Sequence, residues 1–571
     1  MEPKKTLLAA GLILALSLAA YSNSFHAEFQ FDDFHQVVTN GYIRSLGNLP
    51  KFFTDGSTIT QLRGPVGFRP LTTASFALNY YLTGYGVWSY HCLNFLLHFL
   101  CAFLVFLVVR AVLDDSGMED AYTVSLAAAL IFALHPIQTG AVTYISSRAL
   151  LLASFFCLLS FYGFLRYRGG RGRMWIVVAP VSFMLGLLSK EIAVSLLSLM
   201  LAYDFLVTVP ARGGYTAARR VWVCYVPFIV ALGIYLVWRK AVTGLVSPAS
   251  TGIGAGWYIV SEARAWLLYL RLLVFPMNQN ADYFIPVSNG IDAHFIAALL
   301  VIIASVAFSF RLRKKSPHAA FFAAWFLLAV LPESTLVPLP DIAVEYRLYL
   351  PSAGFIAASV LIISASLKKP AAGRWAVISV VVLLSVLTFN RNAVWATDYT
   401  LWNDVAAKSP ASARAHLNLG KALVGVERYA DAEREFMASL VADPYYPERY
   451  LIYADLGLCY FRQGMIDKAI GVLSEVVRTY PRFIEAYTDL GNAYLAAGRY
   501  GEAADVLSRA AAADPRSART RIVLAQTYAK MGRADEAVLQ ARDALRLAPD
   551  EGQRKYAESL LSELEGSRAD R

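Results

Sequence analysis

The sequence predicts an all-α protein in which a multi-span membrane domain precedes a helical repeat domain. Of the 571 residues 57% are hydrophobic, and near-continuous apolar runs of about 20 residues fit a bilayer core about 30 Å thick. Charge separates the two parts: residues 1–390 hold 28 Lys and Arg against 17 Asp and Glu, whereas residues 391–571 hold 24 against 25. Because the positive excess lies among the apolar runs, we do not expect nucleic-acid binding. Small residues spaced 37, 34 and 34 apart mark the second part as a repeat.

Eleven apolar windows in the first part are predicted to cross the membrane. They centre on residues 6–22, 90–112, 121–137, 141–165, 174–189, 192–208, 221–238, 293–310, 318–337, 347–366 and 374–389. A signal peptide is the alternative for the first window, because Lys4 and Lys5 precede it. The segment from Tyr21 to Ser24 lacks a small-residue cleavage site, so we keep this window as a span.

Basic residues assign a side of the membrane to the loops. Seventeen of them fall in alternate loops: Lys4, Lys5, Arg110, Arg166, Arg168, Arg171, Arg173, Arg212, Arg219, Arg220, Arg311, Arg313, Lys314, Lys315, Lys368, Lys369 and Arg374. The positive-inside rule places these loops in the cytoplasm. A further apolar stretch, residues 263–275, would invert the later loops if it crossed. We therefore predict a re-entrant or interfacial helix, with Arg264, Trp266, Tyr269 and Arg271 at the headgroup level. Eleven crossings then place the carboxyl-terminal domain on the exoplasmic side.

Equivalent positions recur along the second part. Small residues stand at Gly420, Gly457, Gly491 and Ala525, glycines at Gly464, Gly498 and Gly532, and closing prolines at Pro444, Pro481, Pro515 and Pro549. Helix-turn-helix units with this period and these small residues resemble tetratricopeptide repeats. We predict a linker at 391–410, four repeats forming one solenoid at 411–550, and a capping helix and tail at 551–571. Such a solenoid usually binds an extended peptide, and it can equally serve as a dimerisation platform.

The loop between the first two spans, residues 23–89, carries the strongest chemical signal. Two adjacent carboxylates, Asp32 and Asp33, lie just beyond the first span in the sequence Phe29 to His35. Beside aromatic anchors at a membrane surface, such a pair can face water, a metal ion or a substrate hydroxyl. The alternative is an acidic pair that solvates the loop or caps a short helix.

Further ionisable residues are predicted at the outer ends of the spans. They are Arg69, His135, Arg148, Lys190, Glu191, Glu345 and Arg347. Ionised groups at membrane depth are costly unless they are paired or functional. Structural ion pairs, for instance Lys190 with Glu191 and Glu345 with Arg347, are therefore the alternative to a functional site.

Ordered motifs in the membrane part complete the pattern. They are Phe68 to Thr72, His91 to Asn94 with His98, His135 to Tyr144 with Arg148, Ser189 to Ala193, Tyr203-Asp204, and Glu345 to Ser352. Together with the repeats, they resemble the transmembrane and tetratricopeptide-repeat O-mannosyltransferases and their bacterial relatives over nearly the whole chain. The resemblance implies a polytopic membrane glycosyltransferase of the C-type fold, with an active site facing the lumen or periplasm and a polyprenyl-phosphate sugar as donor.

The resemblance also implies roles for individual residues. Asp32 and Asp33 match the acidic pair of the first outer loop, one as the catalytic base and the other holding the acceptor or a cation, in either order. Arg347 would grip the donor phosphate with its guanidinium fork. Weaker candidates for the same anion are Arg69, Arg148 and Lys190, and supporting residues are His135, Glu191 and Glu345. Gly140 and Leu150 stand where relatives often carry acidic residues, which leaves the sugar open.

The implied reaction is inverting transfer of mannose or another hexose to Ser or Thr hydroxyls of exported proteins, which the repeats recruit. No cofactor is expected, because the leaving group carries one phosphate, although Asp32 and Asp33 could bind a divalent ion. The implied location is a bacterial inner membrane with the repeats in the periplasm. A ligase that transfers a lipid-linked oligosaccharide shares every one of these features. A transporter with a protein-binding solenoid would leave the acidic pair and the outer cations without a role.

Overall fold

All regular secondary structure in the described part of the chain is helical, which confirms the predicted all-α fold. The computed structural model describes residues 2–60, 67–114, 116–208, 224–244, 255–287, 290–333, 341–366, 370–548 and 551–569. Contacts divide the chain into two compact units, Met1–Asp404 and Val405–Arg571. The division falls inside the predicted linker 391–410, and that segment is itself mostly helical.

The helices of the first unit follow one another through short turns. In chain order the described α-helices are α1 (Pro3–Tyr21), α2 (Leu49–Thr54), α3 (Pro70–Thr83), α4 (Val87–Leu113), α5 (Ala121–Leu134), α6 (Thr139–Val142), α7 (Arg148–Arg168), α8 (Trp175–Leu187), α9 (Ser195–Tyr203), α10 (Val226–Thr243), α11 (Ala255–Val274), α12 (Ala293–Leu312), α13 (Pro317–Val330), α14 (Tyr349–Ser366), α15 (Pro370–Val394) and α16 (Asp398–Lys408). The last of these extends past the boundary between the units.

The described helices fit a membrane protein. Eight helical segments are long and apolar enough to cross a bilayer: Pro3–Tyr21, Val87–Leu113, Ile145–Arg168, Glu191–Thr208, Val226–Thr243, Ala293–Leu312, Glu345–Ser366 and Gly373–Val394. Helix α5 and the segment Pro136–Val142 form a pair bent by 52°, which would make a ninth span, and α8 and α13 are shorter apolar helices. Each predicted window thus overlaps one of these helical segments. Five bases used to assign the topology, Arg212, Arg219, Arg220, Lys368 and Lys369, lie outside the described residues.

The windows 121–137 and 141–165 do not form two uninterrupted helices as predicted. Helix α5 ends at Leu134, because His135 precedes a proline and takes an extended conformation. Two short 3-10 turns and α6 then lead to α7, and every residue from 135 to 147 is buried. Irregular backbone at membrane depth is tolerated where it is enclosed by protein, and the burial of this segment meets that condition.

Two more breaks occur between apolar helices. Between α8 and α9, Lys190 is extended and Glu191–Val194 forms a 3-10 turn. Before α14, Glu345–Leu348 forms another 3-10 turn. The first of these breaks is tied to the start of α3, because the Leu71 N–H donates to the Leu188 carbonyl at 3.3 Å. Five of the candidate site residues lie at the three breaks: His135, Lys190, Glu191, Glu345 and Arg347.

The predicted interfacial stretch 263–275 lies within α11, which is not among the helices apolar enough to span a bilayer. The position of this stretch at the headgroup level stays a prediction, but its two aromatic side chains are buried inside the protein. Trp266 is 7% exposed and Tyr269 is 1% exposed, and both pack against α13 and the segment before α14. Because the two residues are three positions apart, they share one helical face, and that face is the buried one.

The second unit is a stack of helix pairs followed by a single helix. Its described α-helices are α17 (Ala413–Gly425), α18 (Tyr429–Ala442), α19 (Arg449–Arg462), α20 (Ile466–Thr479), α21 (Ile484–Ala496), α22 (Tyr500–Ala513), α23 (Ala518–Lys530), α24 (Ala534–Leu547) and α25 (Glu551–Ala569). Buried side chains of α25 join the apolar cluster of α23 and α24, so this helix covers the last pair. The closing residue Pro549 lies outside the described residues.

Glycines explain the period of the repeats. A Cβ on Gly457 would lie 2.5 Å from the Leu473 side chain, so only a glycine lets the two helices of this pair approach so closely. The turn glycines Gly464, Gly498 and Gly532 have φ angles of 78°, 73° and 74°, a left-handed conformation that glycine adopts without a steric penalty.

We expect Gly354→Ala to destabilise the membrane unit by about 1–3 kcal/mol, because the helix contact has no space for a methyl group. An added Cβ would lie 2.7 Å from the Phe322 carbonyl oxygen and from the Trp325 Cβ on α13. The measurement is thermal unfolding of the purified protein in detergent. Gly233→Ala is the control, since nothing lies within 4 Å of its Cβ position. Equal melting temperatures for the two variants would contradict this account of the contact.

Candidate active site

The acidic loop is held in an unusual backbone conformation. Phe31, the residue before the two aspartates, has a φ of 45°, in the left-handed region that a bulky side chain rarely occupies. Its ring is fixed among aromatic neighbours, with centroid distances of 5.7 Å to Tyr144, 6.2 Å to Trp395 and 4.7 Å to Trp402. Such strain persists where the surrounding structure imposes it, and it is concentrated at functional sites.

Asp33 points into the protein. Its Oδ1 accepts hydrogen bonds from the Ser146 backbone N–H at 2.7 Å and from the Ser146 hydroxyl at 2.5 Å, and its Oδ2 accepts from the Gln30 N–H at 2.9 Å. The side chain is fully buried. Burial raises the pKa of Asp33 to about 7, although the three hydrogen bonds act in the opposite direction. Asp33 therefore ties the loop to the buried segment that precedes α7.

Asp32 points the other way, and its side chain is 57% exposed. Its Oδ1 lies 3.1 Å from His35 Nε2, and its backbone N–H donates to the Tyr144 hydroxyl at 3.0 Å. Partial burial acts to raise the pKa of Asp32, but His35, Tyr144 and the positive charge of Arg69 together hold it below its usual range. Asp32 is thus an accessible carboxylate that stays ionised at neutral pH.

Arg69 is the cation that acts on Asp32. It precedes α3, whose first residue is a proline, and its side chain is about one third exposed. The Nη2 atom of Arg69 lies 3.6 Å from Glu191 Oε2, which makes a loose ion pair. The buried Nε of Arg69 has no hydrogen-bond partner among the described residues. Arg239 approaches the other oxygen of Glu191 at 3.5 Å. Arg69 therefore has donor capacity left for an anion beside Asp32.

Lys190 does not pair with Glu191, contrary to the sequence-based alternative. The extended backbone at Lys190 turns the two neighbouring side chains apart, and Lys190 forms an ion pair with Glu333 instead. Its Nζ also lies 5.3 Å from the centre of the Tyr346 ring. Burial lowers the pKa of Lys190, and the positive charges of Arg69 and Arg347 act in the same direction. Three candidate cations thus lie close enough to influence one another.

Arg347 is nearly buried, with 9% of its side chain exposed. Its guanidinium donates to the carbonyls of Ile342 at 3.0 Å and Asp341 at 2.8 Å and lies 3.5 Å from a Glu262 oxygen. It does not pair with Glu345, which corrects the second ion pair considered from the sequence. The 3-10 turn sends the two side chains to opposite neighbours, so Arg347 faces α11.

Glu345 organises the loop that follows α11. It accepts hydrogen bonds from the Asn280 N–H at 2.7 Å, the Tyr283 hydroxyl at 2.6 Å and the Gln279 amide at 3.1 Å. Arg391, at the end of α15, lies 3.8 Å away and donates to Asp404 at 2.9 Å. Glu345 is 3% exposed, so it supports the site from inside the protein.

Arg148 is placed away from the ion pairs around Lys190. It is fully buried and donates to the side-chain oxygens of Asn94 at 2.8 Å and Asn79 at 2.5 Å and to the Tyr90 carbonyl at 2.9 Å. Its guanidinium also lies 4.7 Å from the Phe76 ring centre. These contacts join α3, α4 and α7, so the structure assigns Arg148 a role in packing rather than one at an exposed anion site.

His135 likewise serves the backbone. Its Nδ1 accepts from the Ile137 N–H at 3.1 Å, and its Nε2 donates to the Leu273 carbonyl at 3.2 Å. The imidazole therefore caps the turn after α5 and attaches it to the end of α11.

Several members of the site were not assigned a role from the sequence. They are His35, Tyr144, Arg239, Glu262, Glu333 and Arg391. Glu333 is a lone carboxylate at the end of an apolar run, and a charge at membrane depth is a sequence signal for a functional residue. The others required the tertiary contacts. Within the described residues, no three His, Cys, Asp or Glu side chains converge in a metal-binding arrangement, and both Asp33 oxygens already accept hydrogen bonds.

Known proteins resemble this chain both in its repeats and over most of its length. Models of the tetratricopeptide repeat match residues 417–482 and 494–564. A protein O-mannosyl-transferase of Caenorhabditis elegans is 26% identical over 452 residues, which cover 76% of this chain and 63% of the relative. Human protein O-mannosyl-transferase TMTC3 is 26% identical over 485 residues, covering 76% of this chain and 51% of the relative. Mouse TMTC2 is 34% identical over 206 residues, covering 34% and 23%. The chain thus spans about half to two thirds of the length of the first two relatives.

Two of the similar solved structures each cover about a quarter to a third of the chain. The tetratricopeptide-repeat protein TTC0263 of Thermus thermophilus is 23% identical, with a TM-score of 0.26 and coverage of 32% of this chain and 94% of that chain. MamA of Desulfovibrio magneticus is 19% identical, with a TM-score of 0.24 and coverage of 26% and 82%.

Proposed function

Because the chain is a homologue of the TMTC protein O-mannosyl-transferases, as its membrane motifs and repeats predict, we propose that it is a membrane-embedded protein O-glycosyltransferase. The donor is a polyprenyl-phosphate sugar carrying mannose or another hexose, and the acceptor is a Ser or Thr hydroxyl of an exported protein. The single observation that carries the proposal is that the two aspartates have different surroundings. Asp33 is buried, whereas Asp32 is exposed beside Arg69.

Asp32 is the catalytic base of this proposal. A Ser or Thr hydroxyl holds its proton tightly, and a carboxylate of lowered pKa cannot remove it before attack begins. Proton transfer therefore comes late, when the forming bond to carbon has made the hydroxyl acidic. In this proposal Asp33 anchors the loop and does not touch the acceptor, which is one of the two orders that the sequence leaves open.

Arg69 is the main ligand of the donor phosphate in this proposal, and Lys190 and Arg347 rank after it. Two observations support this ranking: the Arg69 Nε has no hydrogen-bond partner in the part of the chain that the structure describes, and the contact of Arg69 with Glu191 is loose. Arg347 has most of its donors engaged with carbonyls and Glu262, so it acts chiefly through its charge. A guanidinium is suited to a phosphate because its planar fork can donate two parallel hydrogen bonds.

The reaction is one displacement at the anomeric carbon. The acceptor oxygen forms a bond to this carbon, the bond to the phosphate oxygen breaks, and its electron pair leaves with the polyprenyl phosphate. The hydroxyl proton passes to Asp32 and then to water. Attack from the face opposite the leaving group inverts the anomeric centre. As negative charge grows on the leaving phosphate, Arg69, Lys190 and Arg347 stabilise it more than they stabilise the ground state.

The charge pattern of the loops supports an exoplasmic site. With the basic loops in the cytoplasm, the acidic loop, the three breaks and the repeats lie on the opposite side, in the periplasm if the membrane is a bacterial inner membrane. The repeats recruit the acceptor there, since stacked helix pairs of this kind commonly bind extended peptides.

Purified full-length protein in lipid nanodiscs, supplied with undecaprenyl-phosphate mannose, tests the proposal. We expect transfer of a single hexose to a Ser- and Thr-rich synthetic peptide and faster transfer to a long unfolded polypeptide, because only the long chain can engage the repeats as well. The matched control replaces the donor by an undecaprenyl-diphosphate oligosaccharide. Transfer of a whole glycan from the control donor would establish the ligase alternative, and no transfer from either donor would contradict a glycosyltransferase.

A further inference from the structure

The contacts of Asp32 continue to two residues that have no assigned part in the reaction. His35 Nε2 lies 3.1 Å from Asp32 Oδ1, and His35 Nδ1 lies 2.7 Å from Thr60 Oγ1. The His35 side chain is 22% exposed, so it is partly shielded, whereas Asp32 remains 57% exposed. The three side chains form a chain of hydrogen bonds from the protein body to the carboxylate.

The local fold brings these groups together. The left-handed turn at Phe31 leads into a single turn of π-helix, Phe34–Val38, which returns His35 over Asp32. Asp32 lies just before this turn and His35 in it, and their side chains meet at 3.1 Å. Thr60 approaches from the end of the segment that follows α2, at a sequence separation of 25 residues.

The hydrogen-bond chemistry specifies one tautomer of His35. An ionised carboxylate only accepts hydrogen bonds, so the nitrogen that faces Asp32 must carry a proton. In the neutral imidazole the other nitrogen is then an acceptor, which the Thr60 hydroxyl can satisfy as a donor. The Asp32 carboxylate thus selects the tautomer with hydrogen on Nε2, and the Thr60 hydroxyl is compatible with this tautomer as a donor.

We propose that His35, held by Thr60, is a positioning residue that orients the Asp32 carboxylate toward the acceptor hydroxyl. This inference rests on the proposed function and extends it. An exposed aspartate on a loop samples several rotamers, and holding one oxygen by a fixed N–H restricts the carboxylate to one orientation. Misplacement of a reacting group by about 1 Å can reduce a rate about 100-fold, so this restriction acts on kcat rather than on donor binding.

Variants of His35 test the proposal in the nanodisc assay with undecaprenyl-phosphate mannose and the Ser- and Thr-rich peptide. We expect His35→Ala to lower kcat about 30- to 100-fold with the donor KM unchanged within about two-fold. His35→Gln should recover most of this loss, because its amide N–H can replace the Nε2–H. His26→Ala is the control, since His26 is an exposed histidine of the same loop.

Thr60 gives a second test that does not alter the imidazole. Thr60→Val removes the hydroxyl at constant shape and leaves Asp32 in place, and it should lower kcat about 3- to 10-fold. Thr60→Ser keeps a hydroxyl and should retain the wild-type rate. A kcat of His35→Ala equal to that of the wild type would overturn the inference. So would a His35→Gln variant no faster than His35→Ala at an unchanged melting temperature. Absence of transfer by the wild-type protein would instead refute the proposed function.

Discussion

Asp32→Asn is expected to lower the transfer rate by at least about 100-fold and to leave the melting temperature unchanged, because it removes a general base at an exposed position. The amide has the shape of the carboxylate but cannot accept the proton of the acceptor. The affected contact with His35 is partly exposed and contributes little to stability. The measurements are the initial rate of hexose transfer and the thermal unfolding of the same preparation in detergent.

Asp33→Asn provides the contrast, since it changes the neighbouring residue in the same way. Its amide oxygen can still accept from Ser146, but its NH2 group would then face the Gln30 N–H, placing two donors against each other. An unsatisfied buried donor costs about 1–3 kcal/mol, so we expect a lower melting temperature together with lost activity. An Asp32→Asn enzyme with the wild-type rate would refute the assignment of the base. A stable Asp33→Asn enzyme with full activity would refute the anchoring role.

Arg69→Gln is expected to reduce kcat/KM for the lipid donor by about 100- to 1000-fold, the effect seen when one preorganised donor to a developing oxyanion is removed. Glutamine keeps some length and polarity but loses the charge and the fork. Lysine should restore only part of the rate, because an ammonium cannot donate two parallel hydrogen bonds to one phosphate. Rates measured over a range of undecaprenyl-phosphate mannose concentrations give this quantity.

Arg239→Gln is the matched control for Arg69→Gln. Both arginines contact Glu191 at about the same distance, 3.5 Å and 3.6 Å, and both are about one third exposed. Of these two arginines, Arg69 is the one that contributes to lowering the pKa of Asp32. We expect Arg239→Gln to stay within about three-fold of the wild-type rate, since a loose and exposed ion pair adds little. Equal losses in the two variants would show that Glu191, rather than the donor phosphate, is the partner that matters.

Much of the architecture follows from the sequence, because the physical signals are local. Most of the apolar runs form helices that are long enough to span a bilayer by themselves, and the glycines of the repeats stand where helices touch or turns need a left-handed residue. The boundaries were less predictable at 135–147, where a proline interrupts an apolar segment. The burial of Trp266 and Tyr269 inside the protein was not predictable, because their amphipathic chemistry suits a headgroup surface and a protein core equally well.

The sequence by itself determined the two parts of the chain, the positions of the helices and the set of ionisable residues from which a site can be made. Only the tertiary structure decided the partner of each residue. Asp32 and Asp33 are chemically identical neighbours, yet one is exposed beside His35 and the other is buried against Ser146. Lys190 likewise pairs with Glu333, about 140 positions away, rather than with the adjacent Glu191. The physical reason is that ion pairing and burial depend on distance in space, which the chain's own spacing does not specify.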